Sequence, residues 1–140
     1  MNNWYGRVNR NTIWSNFVAM TGDVTVDSGD TLTILPGTVV YAQYNEDNQH
    51  FGADTMRCEI IVKPGGRLIV GGPGNPVKFI SSRPENQAGT EDWRGIVVKP
   101  GGYLSINNAV IRHAYAGIED SSKFLHTIQN VKIGRCKMFG

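Results

Sequence analysis

The sequence predicts an all-β chain built as a solenoid of parallel strands, and three observations carry that reading. β-Branched residues dominate: thirteen Val, twelve Ile and nine Thr stand against five Leu. Such side chains lose rotamer freedom in helices and fit a pleated surface well. Short apolar bursts separated by Gly, Asn, Asp and Ser replace any sustained helical period. Most decisively, whole corners recur. Val26-Asp27-Ser28-Gly29-Asp30-Thr31-Leu32 is matched by Val62-Lys63-Pro64-Gly65-Gly66-Arg67-Leu68 and again by Val98-Lys99-Pro100-Gly101-Gly102-Tyr103-Leu104, at a step of 36 residues both times.

Each copy reads as a strand end, a turn and a second strand opening on Leu. Pro presets one turn dihedral and Gly supplies a positive φ, so the same corner is built at each site. A shorter step follows. Ile96 maps to Ile118, Ile106 to Ile128, Asn108 to Asn130 and Ile111 to Ile133, all at 22 residues. The two periods reconcile if the unit is about 22 residues long and earlier units carry insertions. The polar stretches 45–57 and 83–92 are the candidate insertions. One such unit cannot bury its apolar face alone, whereas stacked units bury a continuous core.

The expected organisation is a single domain, 1–140, of about four to five coils. A lead-in coil at 1–22 is followed by coils at 23–44, 58–82, 93–114 and 115–136. One coil runs as strand 96–99, corner 100–102, strand 104–106, corner 107–108 and strand 110–113. Leu104 and Ile106 point inward, and Tyr103, Ser105 and Asn107 outward. Val110 and Ile111 are adjacent, so a bend or one exposed side chain is needed there. Leu32, Leu68 and Leu104 should lie over one another. Asn108 and Asn130 fall at one corner of successive coils, where stacked amides can form a ladder and tolerate left-handed dihedrals; Asn is also common in turns for local reasons. A Greek-key sandwich accommodates short strands as well, but does not explain corners that recur whole.

Gly22-Asp23-Val24-Thr25-Val26 and the run from Gly29-Asp30-Thr31-Leu32 through Pro36-Gly37-Thr38-Val39-Val40 resemble the opening coil of secreted bacterial right-handed parallel β-helix proteins of the pectin-lyase-like superfamily. Pro76-Val77-Lys78-Phe79-Ile80-Ser81-Ser82 and Asp92-Trp93-Arg94-Gly95-Ile96 resemble the next elements of that arrangement. The likeness runs from Ile13 to Ile133. It implies a right-handed β-helix and an extracellular or cell-surface location. It is poor for function, because the superfamily hosts lyases, hydrolases, adhesins and coils of no known activity. The chain has few coils for such a protein and no evident capping helix, which suggests a piece of a longer solenoid or an end covered by a partner.

Composition narrows the partners. Fourteen basic and twelve acidic residues give +2, and charged residues are 19% of the chain. That balance excludes charge-driven disorder and asks for no nucleic acid. No apolar run is long enough for a membrane-spanning helix. The first residues lack the basic start and apolar stretch of a signal peptide. Cys58 and Cys136 are too few for a disulfide scaffold, and coils stacked at about 4.8 Å would hold them too far apart to bond. Cys136 maps to Ala114 and should fill a small interior position. No cofactor and no metal site are expected: neither Cys has zinc spacing, and His50 and His126 form no ligand motif.

Candidate chemistry is sparse. Glu91, Asp92 and Arg94 form the densest charge group and are the catalytic candidates if the chain is an enzyme. Lyases need an acidic calcium cluster and a base, and inverting glycosidases need two spaced carboxylates. Adjacent strand residues point to opposite faces, so Glu91 and Asp92 make a poor pair, and loop residues leading into the next strand are the blander account. Arg112, His113, Glu119 and Asp120 read as solvated surface charge. Trp93, Tyr103 and Tyr115 are the candidate ligand-binding aromatics, with Trp93 packing over the coil as the alternative. Tyr41, Tyr44, His50 and Phe51 mark an aromatic-bearing polar insertion. The sequence therefore favours a noncatalytic structural or adhesive module that forms a homo-oligomer or filament through its solenoid ends. The alternative is a polysaccharide lyase, glycoside hydrolase or carbohydrate-binding module with a polysaccharide partner.

Overall fold

The computed structural model describes residues 2–43, 57–84, 86, 88–89, 92–121, 127–134 and 136. Among them lie β1 (Asn2–Arg7), β2 (Asn11–Trp14), β3 (Phe17–Val26), β4 (Thr31–Ile34), β5 (Val39–Ala42), β6 (Glu59–Val62), β7 (Arg67–Gly71), β8 (Val77–Ser81), β9 (Gly95–Val98), β10 (Tyr103–Arg112), β11 (Ile118–Asp120) and β12 (Thr127–Gly134). The fold is all-β. Every strand pairing is parallel, and the strands join in one open sheet.

The pairings resolve into three columns, an arrangement consistent with a β-solenoid. The first stacks the start of β1, the start of β3, β5, β8 and the later halves of β10 and β12. The second stacks the ends of β1 and β3, then β6, β9 and β11. The third stacks β2, β4, β7 and the opening halves of β10 and β12. The chain visits the columns in that order and returns to the first.

Sequence periods become registers here. Leu32 pairs with Leu68 and Leu68 with Leu104, all fully buried. Ile96 pairs with Ile118, Ile106 with Ile128 and Ile111 with Ile133. The repeated corners are tight turns closed by Asp30 N–H to Asp27 O at 3.0 Å, Gly66 N–H to Lys63 O at 2.9 Å and Gly102 N–H to Lys99 O at 2.9 Å. Gly29, Gly65 and Gly101 hold φ of 84°, 80° and 89°, which costs a residue without Cβ little. The corners also bond to each other, since Gly29 N–H donates to Gly65 O and Gly65 N–H to Gly101 O.

Asn108 and Asn130 sit at φ of 63° and 52° inside β10 and β12 and bend each strand from the third column into the first. The bend changes which parity faces inward. Leu104 and Ile106 are buried before it, Ala109 and Ile111 after it. That resolves the adjacent Val110 and Ile111: Ile111 enters the core and Val110 stays half-buried on the outside. Both proposed insertions, 45–57 and 83–92, interrupt the same passage from the first column to the second. Tyr41, assigned to an insertion by sequence, belongs to β5 and stacks on Phe17 at 6.4 Å.

The core runs the length of the columns, with Trp14, Phe79 and Trp93 as its largest side chains. Cys58 and Cys136 are buried, and neither is in a disulfide. Burial pushes the Cys136 thiol upward against backbone hydrogen bonding. No helix among the described residues is long and apolar enough to cross a membrane.

Candidate functional site

Asp92 is the polar hub of the molecule. It lies just before the Trp93–Ala114 bridge that leads into β9. Its carboxylate accepts Ser81 Oγ–H at 2.6 Å, Arg83 Nε–H at 3.0 Å, Arg83 Nη2–H at 2.6 Å and the Gly89 backbone N–H at 3.1 Å. Burial alone would push this carboxyl up. The hydrogen bonds from Arg83, Ser81 and Gly89, with the charge of Arg83, outweigh that and hold it below the usual range. Asp92 thus clasps the end of β8 to the start of β9 across the 83–92 stretch.

His113 completes this neighbourhood. Sequence assigned it to solvated surface charge, and the structure corrects that: it is fully buried. With φ of 65°, the chain turns there after β10, so strict strand alternation no longer governs the side chain. Its Nδ1 accepts the Ser81 backbone N–H at 3.0 Å, and its carbonyl accepts Asp92 N–H at 2.8 Å. Arg112, by contrast, is exposed.

Ser81, His113 and Asp92 are the residue types of a nucleophilic triad, but the wiring differs from one. Ser81 Oγ–H donates to Asp92, while Nδ1 of the imidazole is occupied by a backbone N–H. A triad needs the hydroxyl on the imidazole and the carboxylate behind it. All three residues are buried, away from any substrate approaching through solvent. The arrangement is a structural lock.

The remaining candidates are scattered. Trp93 is fully buried, stacked on Phe79 at 6.0 Å and bonded through Nε1–H to Arg112 O at 2.8 Å. Its ring is therefore withdrawn from a surface ligand, because re-entry after 83–92 drives it into the core. Arg94 turns to Glu119, with Nη2–Oε1 at 2.7 Å, and lies 4.5 Å from the Tyr115 ring centre. Arg57 lies 5.3 Å from the same ring, and Tyr115 is half-buried. Asp92 and Arg94 are thus bonded to different partners. Glu91, Tyr44, His50, Phe51 and His126 lie outside the described residues. Tyr103 is partly exposed on the third column under the Arg67 guanidinium at 5.0 Å.

The amides cross-bond obliquely. Asn108 Nδ2–H donates to Gly74 O at 2.8 Å, and Asn130 Nδ2–H donates to Asn107 Oδ1 at 3.4 Å. Among the described residues, no group of three or more His, Cys, Asp and Glu is placed to hold a metal ion.

Sequence reasoning also missed an ion-paired cleft of about 650 Å³ near the chain start, lined by Arg7, Val8, Asn9, Arg10, Ser28 and Asp30 among others. Buried Asp30 accepts Arg7 Nε–H and Arg10 N–H, each at 3.1 Å. Ser81, Arg83 and Gly89 were equally silent, because nothing in their spacing signals that they converge on Asp92. Comparison with family models, curated proteins and solved structures found no match.

Proposed function

We propose that this chain is a stretch of right-handed parallel β-helix acting as a noncatalytic structural or adhesive module of the cell exterior, which associates through the ends of its columns. The observation that carries the reading is the fate of the chemically able residues. Ser81, Asp92 and His113 are consumed in closing one passage between columns, and Arg94 is paired to Glu119. The recurrent feature is the stacking surface itself.

The end of the third column supports association. Trp14, Ile34, Val70 and Ile106 occupy one inward row and are buried, whereas Ile128, next in that row, is 47% exposed. Apolar area left open in this way is stabilised when another layer covers it. Light scattering after size exclusion, across a dilution series, tests the assembly. Association that weakens in Ile128→Glu supports it; a monomer at every concentration overturns it. Incubation with polygalacturonate and alginate tests the other half. Release of unsaturated or reducing ends, abolished by Asp92→Ala or Arg94→Ala, would replace this reading with a polysaccharide-cleaving one.

A further inference from the structure

The corners between the second and third columns stack on one another, except at the first layer. Arg7 pairs with Thr25 and Asn11 with Thr31. Three residues lie between Arg7 and Asn11, and five lie between Thr25 and Thr31. The first corner is therefore shorter than the corner above it, and Arg10 closes it in a left-handed conformation, at φ of 46°. The next corners are covered from below. A Cβ built on Gly101 would lie 3.2 Å from Pro64, and one on Gly65 would lie 2.5 Å from Ser28. Gly29 holds the same place one layer down, and a Cβ there would meet nothing within 4 Å.

The hydrogen-bond ladder stops at the same point. Gly101 O accepts Gly65 N–H at 2.9 Å, and Gly65 O accepts Gly29 N–H at 3.1 Å. Among the described residues, no backbone N–H donates to Gly29 O. The space beside the shortened corner is the cleft of about 650 Å³ lined by Val8, Asn9, Arg10, Asn11, Ser28 and Gly29, with Arg7 and Asp30 at its wall.

We infer that this notch receives a tight turn of a partner polypeptide that carries one acidic side chain. Shape supplies the first argument. The notch has the position of a main-chain corner, and an incoming turn can give Gly29 O the N–H that Gly65 O and Gly101 O already receive. Charge supplies the second. Arg7 Nε lies 3.1 Å from Asp30 and 3.2 Å from Asp27, and Lys63 Nζ lies 3.8 Å from Asp27. Two cations thus face two carboxylates. The Arg10 side chain is exposed, and among the described residues no carboxylate pairs with it. One acid balances Arg10, whereas a run of acids would also meet Asp27 and Asp30.

Hydrogen-bond chemistry narrows the ligand further. Gly29 O and the Asp30 carboxylate accept, the Arg10 guanidinium donates, and Asn9, Asn11 and Ser28 do both. A bare anion has nothing to give the acceptors, while a peptide turn both donates and accepts. A second copy of the chain is disfavoured, because its corners at Lys63-Pro64-Gly65 and Lys99-Pro100-Gly101 would bring Lys against Arg10.

The test uses the intact chain and a cyclic hexapeptide that displays one Asp-Gly turn, a shape set before binding. Its Ser-Gly counterpart and galacturonate are the comparison ligands. Amide chemical-shift changes measure the affinity and locate the site. The expected result is preference for the Asp-Gly peptide, with shifts centred on Asn9, Arg10, Ser28 and Gly29. Asn tolerates left-handed φ, so Arg10→Asn removes the charge and keeps the corner. It should weaken binding about tenfold or more, as loss of a hydrogen bond to a charged group does. Arg10→Lys should retain most of the affinity. Replacing Asn9 by Asp-Ser-Gly gives the first corner the length of the second, and this chain should lose the peptide because its own corner fills the notch. Circular dichroism verifies that each variant stays folded. Equal binding of the Ser-Gly peptide, preference for galacturonate, shifts elsewhere on the surface, undiminished affinity in Arg10→Asn or in the lengthened corner, or no binding would each overturn the proposal. Association of the column ends is read at Ile128 and peptide binding at Gly29, so either result stands without the other.

Discussion

At the scale of single residues, Asp92 makes the sharpest prediction. Asp92→Asn keeps the shape but leaves Arg83 without its carboxylate and weakens the acceptor for Ser81 and Gly89. Losing a buried ionic partner is costly, though the Arg83 side chain is 30% exposed and water screens part of it. The expected loss is about 2 kcal/mol at neutral pH in urea unfolding. Because the folded carboxyl titrates below its ordinary value, its contribution is complete above the unfolded pKa of about 3.9 and is lost as pH falls through the folded value. The gap between wild type and Asp92→Asn should therefore be flat near neutrality and narrow in acid. A gap that widens in acid would contradict this sign. Asn108 makes a second prediction. Asn108→Ala should cost about 1–2 kcal/mol for an unsupported left-handed residue, in addition to the lost bond to Gly74 O. Asn108→Gly should cost less, because only the bond is lost; thermal melts that rank Gly below Ala would refute it.

Among the elements, β9 and β11 depend on how closely their backbones approach. Gly95 opens β9 at φ of 118°, and a Cβ there would sit 1.7 Å from Ala116 O. The obstructing atom is backbone, so no side chain can swing away. Gly95→Ala should cost at least about 3 kcal/mol. Amide exchange should locate the damage: β11 should exchange faster while the β4–β7 pairing keeps its protection. Sequence made the second and third columns legible, because the 36-residue corners and 22-residue steps are also their registers. The first column was legible only at its 22-residue step from Ile111 to Ile133. Before that step Val40 pairs with Phe79 and Phe79 with Ile111, at steps of 39 and 32 residues, because intervening turns differ in length. A fixed period cannot find unequal steps. His113 was misplaced for a related reason, since alternation applies to a strand and fails where φ turns positive.

For the molecule as a whole, the parallel columns imply slow folding. Every pairing joins residues distant in sequence, so loop-closure entropy is lost before contacts form, and refolding in milliseconds to seconds is expected. Hydrogen exchange from the native state should be slowest in β6, β7 and β9, which have neighbours on both edges, and faster in β2 and β11, each with one named partner. Leu68→Ala, at the middle of the buried Leu row, should cost about 2–5 kcal/mol and lower protection in its neighbours β4 and β10. A loss confined to β7 would argue against one continuous core.

By itself the sequence determined the class of structure. β-Branched composition, recurrent Gly corners and constant spacing are local signals, and translation by one period maps each apolar row onto itself. It also determined that Leu32, Leu68 and Leu104 share a row, because a row is a property of spacing. Only the tertiary structure decided what the polar residues do. Ser81, Arg83, Gly89, Asp92 and His113 meet across two columns and a loop, and the middle of the first column assembles from strands with unequal separations. Hydrogen-bond partners depend on distance in space, and the chain carries no spacing rule for groups that converge once.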